Sequence, residues 1–356
     1  MSGKTLPRLL FMACVLLALG VLPVVSGCSG DEAEKTTTVA AEESFTLRLA
    51  TGEPETEGAV TRDIKEWAAD IETASNGRLK LEIFWGGALG DVKDSMSLLQ
   101  SGTTDMILAG YAQLGDAMPV SDVVSLPYLV TNPIDAGTLM NSMYADGLLP
   151  EYSDALKLIM FRPQDPVMLF LRDKKVSSLE DLEGLKIRVN SENFANFVET
   201  LGGVPTYVVH TDLFQALQTG VVDGCITSPG FFYPVGLAET CSYVLVEPIA
   251  SPMNFVGMSN TAWNGLPADL RLVLMEQSDR RYWTNVYRET TRLWNDYLIP
   301  LEEEEGMELI YLSPEEHARW VEATTFLADD WAAELDSQGL AGSDAVQRAR
   351  AIGGGM

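Results

Sequence analysis

Apolar and polar residues alternate along "FTLRLAT" (45–51), the two-residue period of a half-buried strand. Over 61–75 the period changes. Ile64, Trp67, Ala68 and Ile71 recur at helical spacing, and Asn76 and Gly77 stop the helix. "LKLEIFW" (79–85) predicts a second strand, "GGALGD" turns into a helix from about 92 to 101, and "TDMILAG" (104–110) predicts a third strand. This strand–helix alternation calls for a mostly parallel sheet with helices on its faces. The rhythm returns further on. Strands are predicted at "LKIRV", "PTYVV" and "VDGCIT", with helices over 193–201 and 213–219 between them. The extended segment 158–171 joins the two α/β units, and a long helical stretch follows over 266–306. Pro267 suits its first turn, and Pro300 must kink or end it.

The N-terminus has another pattern. Lys4 and Arg8 precede the apolar run "LLFMACVLLALGVLPVV", and "SGC" (26–28) follows. A charged start, an apolar stretch and small residues predict a signal peptide over 1–27, of the lipoprotein type. Gly20 and Pro23 interrupt the run too often for a comfortable membrane span. "VVSGC" resembles a bacterial lipobox, so Cys28 is the expected lipidated residue after cleavage. The polar stretch 28–43 reads as a flexible tether. The expected location is periplasmic or cell-surface, with a lipid anchor in the membrane. Export permits a disulfide between Cys225 and Cys241, and two small buried side chains are the alternative.

The whole chain carries a formal charge of −27, and the part after residue 27 is two units more negative. Binding to nucleic acid or an anionic membrane through a basic surface is thereby excluded. Hydrophobic residues make up 46 %, enough for a substantial core. Catalytic signatures are missing. The chain has two histidines, of which His317, after "SPEE", is expected at the surface. It has no HExxH, paired CxxC or GxSxG, and "GGALGDVKDS" lacks the Lys-Ser/Thr of a phosphate loop. The acidic run 302–305 reads as a solvated tip, and no metal or cofactor is expected. An exported, two-unit α/β chain of this kind points to a binding protein rather than an enzyme. Its ligand belongs between the units, at the carboxyl ends of strands.

Several phrases together resemble one family: "NGRLKLEIFWGGALGD" (76–91), "LLQSGTTDM" (98–106), "SLPYLV" (125–130), "SLEDLEGLKIRV" (178–189), "GGVPT" (202–206), "ALQTGVVDG" (216–224) and "WNGLPADLR" (263–271). In this order they resemble the solute-binding receptors of tripartite ATP-independent periplasmic (TRAP) transporters, of the C4-dicarboxylate-receptor type. The resemblance implies a two-lobed periplasmic-binding-protein fold of the α/β class, with a ligand cleft between the lobes and a long helix spanning both. The expected division is 44–165 with 253–292 in the first lobe, 166–252 with 293–340 in the second, and a disordered tail over 341–356. The implied partners are a small organic acid and the membrane permease, which runs on an ion gradient.

Within "GLKIRV", Lys186 and Arg188 fall on one side of the strand and Leu185, Ile187 and Val189 on the other. The resemblance places the carboxylate-binding arginine of the family at Arg188. A guanidinium presents a planar pair of donors that matches a carboxylate. The alternative is a structural ion pair. Thr227 stands where relatives place a ligand-touching polar residue, and His210 where they place a cleft side chain. Phe231 is a candidate cleft wall, and Glu53, Trp85 and Tyr111 end strands that should face the cleft. Relatives that bind sialic acid carry a second arginine twenty residues before the first. Met168 stands there, and Gly110 replaces an acid, so sialic acid is not the expected ligand. Two alternatives remain: a cationic or zwitterionic solute on the same scaffold, or an exported enzyme using paired acids.

Overall fold

The computed structural model describes residues 43–56, 58–152 and 156–354. The predicted signal segment, Cys28 and nearly all of the predicted tether lie outside the described residues. Among the described residues no helix is long and apolar enough to cross a membrane.

Strands run β1 (Phe45–Thr51), β2 (Leu79–Phe84), β3 (Met106–Gly110), β4 (Leu156–Pro163), β5 (Val167–Leu171), β6 (Lys186–Val189), β7 (Val204–Tyr207), β8 (Gly224–Thr227), β9 (Tyr243–Ala250), β10 (Met253–Ser259) and β11 (Glu308–Ile310). They form two sheets, ordered β2-β1-β3-β10-β4 and β11-β9-β5-β8-β6-β7. Each sheet is the centre of one lobe. β1 pairs in parallel with β2 and β3, as the strand–helix alternation predicts. β10 then adds antiparallel to both β3 and β4. In the second sheet β6 is parallel to β7 and β8, and β5 is antiparallel to β8 and β9.

The chain crosses between sheets where β4 passes into β5 and where β9 passes into β10. Both crossings are short, and Ser251 Oγ ties them together by donating to the Gln164 carbonyl at 3.0 Å. Elsewhere Asn193 Nδ2, on a second-lobe helix, donates to Asp122 Oδ2 in the first lobe at 2.9 Å.

The helix Ala59–Ala74 turns Ile64, Trp67 and Ile71 into the first-lobe core. Burial of an aromatic side chain such as Trp67 contributes roughly 2–3 kcal/mol. Its opposite edge is pinned to the long helix Ala268–Arg292. Arg281 Nη1 lies 3.0 Å from Asp63 Oδ1 and 2.9 Å from Glu66 Oε2, and Arg288 Nη1 lies 2.9 Å from the same Asp63 oxygen.

Past Arg292 the long helix widens into a π-turn over Leu293–Leu298 and resumes as Ile299–Glu303. The Ile299 N–H bonds the Trp294 carbonyl, five residues back. Pro300 explains the widening. A proline ring clashes with the carbonyl four residues before it and brings no N–H, and a π-turn relieves both faults.

Two expectations need correction. Within the segment expected as a disordered tail, Gly342–Gly353 is a helix with Ala345, Val346 and Ala349 buried. It packs with the helix Phe326–Ser337 in the apolar cluster of the first lobe, so 326–340 belongs with that lobe rather than the second. Small residues allow this close approach, and Gly353 has no room for a Cβ against the Leu129 carbonyl. Arg350 and Arg348 add ion pairs to Asp329 and Asp146. Second, Cys225 and Cys241 are both free and buried, without a disulfide. Their apolar cluster accommodates them as small hydrophobic side chains. His317 is exposed, as its place after "SPEE" predicts. Its Nδ1 lies 2.7 Å from Glu247 Oε1, and Tyr128 meets its ring edge-on.

Candidate functional site

A cavity of about 100 Å³ lies between the two sheets, over the crossings. The crossings supply Arg162, Gln164 and Asp165 on one pass and Pro252, Met253 and Asn254 on the other. β1 and β3 end at the cavity, and so does β8. These ends bring Glu53, Gly110 and Tyr111 from the first lobe and Thr227 and Ser228 from the second.

Two glycines make the close packing possible. A Cβ on Gly110 would stand 2.7 Å from Asn254 Oδ1, and one on Gly230 would stand 2.9 Å from Asp165 Oδ1. Asn254 in turn donates to Glu53 Oε1 at 3.4 Å, and the Gly230 N–H donates to Asp165 Oδ2 at 2.7 Å. Gly110 thus leaves room for the Asn254 that meets Glu53, and Gly230 both leaves room for Asp165 and donates to it.

Of the residues singled out in the sequence, Glu53, Tyr111, His210, Thr227 and Phe231 border the cavity. Tyr111 does so with its ring, stacked on Phe255 at 5.2 Å, while its hydroxyl is taken up by the Tyr152 hydroxyl at 2.8 Å. His210 and Phe231 lie ring against ring at 4.4 Å. Burial first, and then the charge of Arg188, push the His210 imidazole down to about 3, so it is neutral at ordinary pH.

Arg188 does not itself border the cavity. Its neighbour across the sheet is Cys225, and Thr227 lies two residues on along the same face. Its Nε donates to the Val208 carbonyl at 2.9 Å, and its Nη1 has no hydrogen-bond partner among the described residues. No described carboxylate pairs with it. The side chain is 1 % exposed, and burial lowers its guanidinium to about 10. It stands behind His210 as a buried, uncompensated cation.

Met168 and Trp85 lie elsewhere. Met168 pairs with Thr227 across β5 and β8, but it is fully buried in the apolar cluster of the second lobe. Trp85 follows the edge strand β2 and packs on the first-lobe cluster around Ile64 and Trp67.

The cavity also has members that sequence reasoning missed: Arg162, Asp165, Asn190, Asn254, Glu289 and Tyr297. Arg162 is 2 % exposed, with its Nε 3.7 Å from Asp63 Oδ2 and no hydrogen bond at that nitrogen among the described residues. Burial raises Asp165 to about 6. Burial and then the neighbouring Asp165 raise Glu289 to about 8. Glu53 is raised too, by burial, with Arg162 opposing. Asn285 and Glu289 share a helix face with the buried Arg281. That polar spacing is a signal in the sequence, but which helix face is buried is not.

Residues 52–334 match the DctP family, described as bacterial extracellular solute-binding protein, family 7. The chain belongs to this family. The receptor is 25 % identical over 289 residues to the C4-dicarboxylate-binding periplasmic protein DctP of Rhodobacter capsulatus, covering 76 % of this chain and 81 % of the relative. It is 24 % identical over 241 residues to a solute-binding protein of Chromohalobacter salexigens, covering 65 % and 68 %. Among solved structures, a TRAP solute-binding protein of Rhodoferax ferrireducens in complex with copurified benzoate superposes with a TM-score of 0.77 at 19 % identity, over 87 % of this chain and 98 % of that one. An extracytoplasmic solute receptor of Bordetella pertussis binding pyroglutamic acid gives 0.76 at 20 % identity, over 87 % and 99 %. The receptor therefore has the two-lobed fold of TRAP periplasmic binding proteins, and its family is one of receptors rather than enzymes.

Proposed function

We propose that this receptor captures a small organic acid outside the cytoplasm and hands it to a TRAP permease, with Arg188 as the partner of the acid's carboxylate. The observation that carries the reading is the state of Arg188. Its guanidinium is buried without a described counter-ion, its Nη1 has no described hydrogen-bond partner, and its charge acts on His210 at the cavity wall. A buried charge of this kind is costly until an opposite charge arrives. Arg162, by contrast, already faces Asp63 and three cavity acids. Relatives named for C4-dicarboxylate, pyroglutamic acid and benzoate support an acid as the ligand.

The carboxylate lies against the second lobe, where the Thr227 hydroxyl can donate to it and the neutral His210 does not repel Arg188. Closure of the lobes over the short crossings then excludes water and strengthens the pair. Cys28 anchors the mature receptor to the membrane at its periplasmic or outer face.

Isothermal titration against a panel of small mono- and dicarboxylates tests the reading. A one-to-one complex without turnover is expected. Arg188→Ala should weaken the best acid at least tenfold, because charge-assisted hydrogen bonds contribute about 1.5–3 kcal/mol each. Unchanged affinity in Arg188→Ala removes the assignment.

A further inference from the structure

The cavity is electrically lopsided. Arg188 on the second-lobe side has no described carboxylate partner. The wall itself, which Arg188 does not border, carries three carboxyl groups, Glu53, Asp165 and Glu289, and a single guanidinium, Arg162. Arg162 is also engaged from behind by Asp63, at 3.7 Å. Arg281 and Arg288 reach Asp63, but they divide their charge with Glu66 and Asp70. Positive charge at this end therefore falls short of the acids, and Glu289, raised to about 8 by burial and then by Asp165, keeps its proton at neutral pH until a cation comes beside it.

A plain monocarboxylate would answer Arg188 and leave the acids unanswered. A dicarboxylate would press its second anionic group against them, and like charges brought together in a buried site select against a ligand. A positive group would pair with the ionised acids and draw the proton off Glu289. The wall also suits one in shape, since Phe231 and Tyr297 border the cavity with aromatic surface, which attracts ammonium groups.

We propose that the cognate solute is a compact zwitterion, a carboxylate that also carries an ammonium nitrogen, with its carboxylate toward Arg188 and its nitrogen toward Glu53 and Glu289. The proposal rests on the organic-acid reading of the cavity and narrows it. A cavity of about 100 Å³ suits a small solute.

Matched ligand pairs test it by titration calorimetry on the purified receptor. Each pair shares a shape and differs by nitrogen against carbon at one position: glycine betaine with 3,3-dimethylbutanoate, proline with cyclopentanecarboxylate, norvaline with 2-methylpentanoate. The expected result is at least tenfold tighter binding of the nitrogen-bearing member in at least one pair. Glu289→Gln or Glu53→Gln should reduce that ratio severalfold, while Arg188→Ala weakens both members together. If the nitrogen-free acid binds as well as or better than its partner in every pair that binds, the zwitterion inference is overturned and the organic-acid reading stands. A preference that survives intact in both Gln variants also overturns it. No binding by any member of any pair overturns this inference alone, whereas choline binding that is indifferent to Arg188→Ala overturns the organic-acid reading and this inference with it. The wild-type comparison needs no variant, so it decides even if a substitution impairs folding.

Discussion

Arg188 and Arg162 are both buried to within 2 % of complete exclusion from solvent, yet their surroundings differ. Arg162 is set among acids. Arg188 has a backbone carbonyl, a thiol and a neutral imidazole for company. A buried cation without a counter-ion destabilises the unliganded fold, so an apolar side chain of similar length should relieve the cost. Arg188→Met is expected to raise the melting temperature of the ligand-free receptor while abolishing acid binding, as calorimetry and thermal denaturation would show together. A lower melting temperature would mean that Arg188 is a structural residue.

Asp122 is a second informative side chain. It accepts from Ser125 Oγ within its own lobe and from Asn193 Nδ2 across the lobes. Burial raises it to about 7, partly opposed by the Ser125 hydroxyl. An unfolded aspartate titrates near 3.9, so between about pH 4 and 7 the folded state holds a proton that the unfolded state has lost. Its contribution to stability is present below that window and lost as pH rises through 7. Asp122→Asn never ionises, and its amide oxygen still accepts one of the two bonds. The variant should melt above wild type at pH 8, by roughly 2 kcal/mol in stability, with the difference vanishing toward pH 4. Paired melts at pH 4.5 and pH 8 check this.

At the scale of elements, the break in the long helix is a positioning device. The π-turn over Leu293–Leu298 sets the register that buries Tyr297 at the cavity. Removing one residue from a helical register rotates all that follows by about 100°. Pro300→Ala restores the missing N–H and should let the α-register continue. The expected outcome is weaker ligand binding by titration, with the Arg281 and Arg288 anchorage and overall helicity unchanged.

The C-terminal helix Gly342–Gly353 is an integral part of the first lobe. Val346→Asp would place an unpaired charge in that cluster and should cost about 2–4 kcal/mol in urea denaturation. A change under about 0.5 kcal/mol, typical of surface sites, would mean the helix is dispensable.

For the whole molecule, free buried thiols predict that reducing agent leaves the melting temperature unchanged. Thiol labelling after unfolding should find Cys225 and Cys241 both reactive. Much of the architecture was legible in the chain. The patterns over 45–51, 79–85 and 104–110 contain β1, β2 (Leu79–Phe84) and β3 (Met106–Gly110), and the helix over 213–219 fell where its spacing put it. Local alternation and turn chemistry suffice for such elements, because each strand or helix advertises its buried face. β9 and β10 were not legible. They pair with strands distant in sequence, and β10 joins the first sheet only because the chain returns to it after crossing.

The candidate site divides the same way. Glu53, Tyr111, His210, Thr227 and Phe231 border the cavity because strand ends converge there. Met168 does not, because alternation along β5 turns it into the core. By itself the sequence determined two α/β units, an acidic surface, the long helix and the family phrases. Those depend on neighbours along the chain. Only the tertiary structure decided that Arg162, Asp165 and Glu289 share one cavity and that Arg188 lacks a described counter-ion. Charge neutralisation in a buried site is a sum over groups from separate elements, and folding alone brings those groups together.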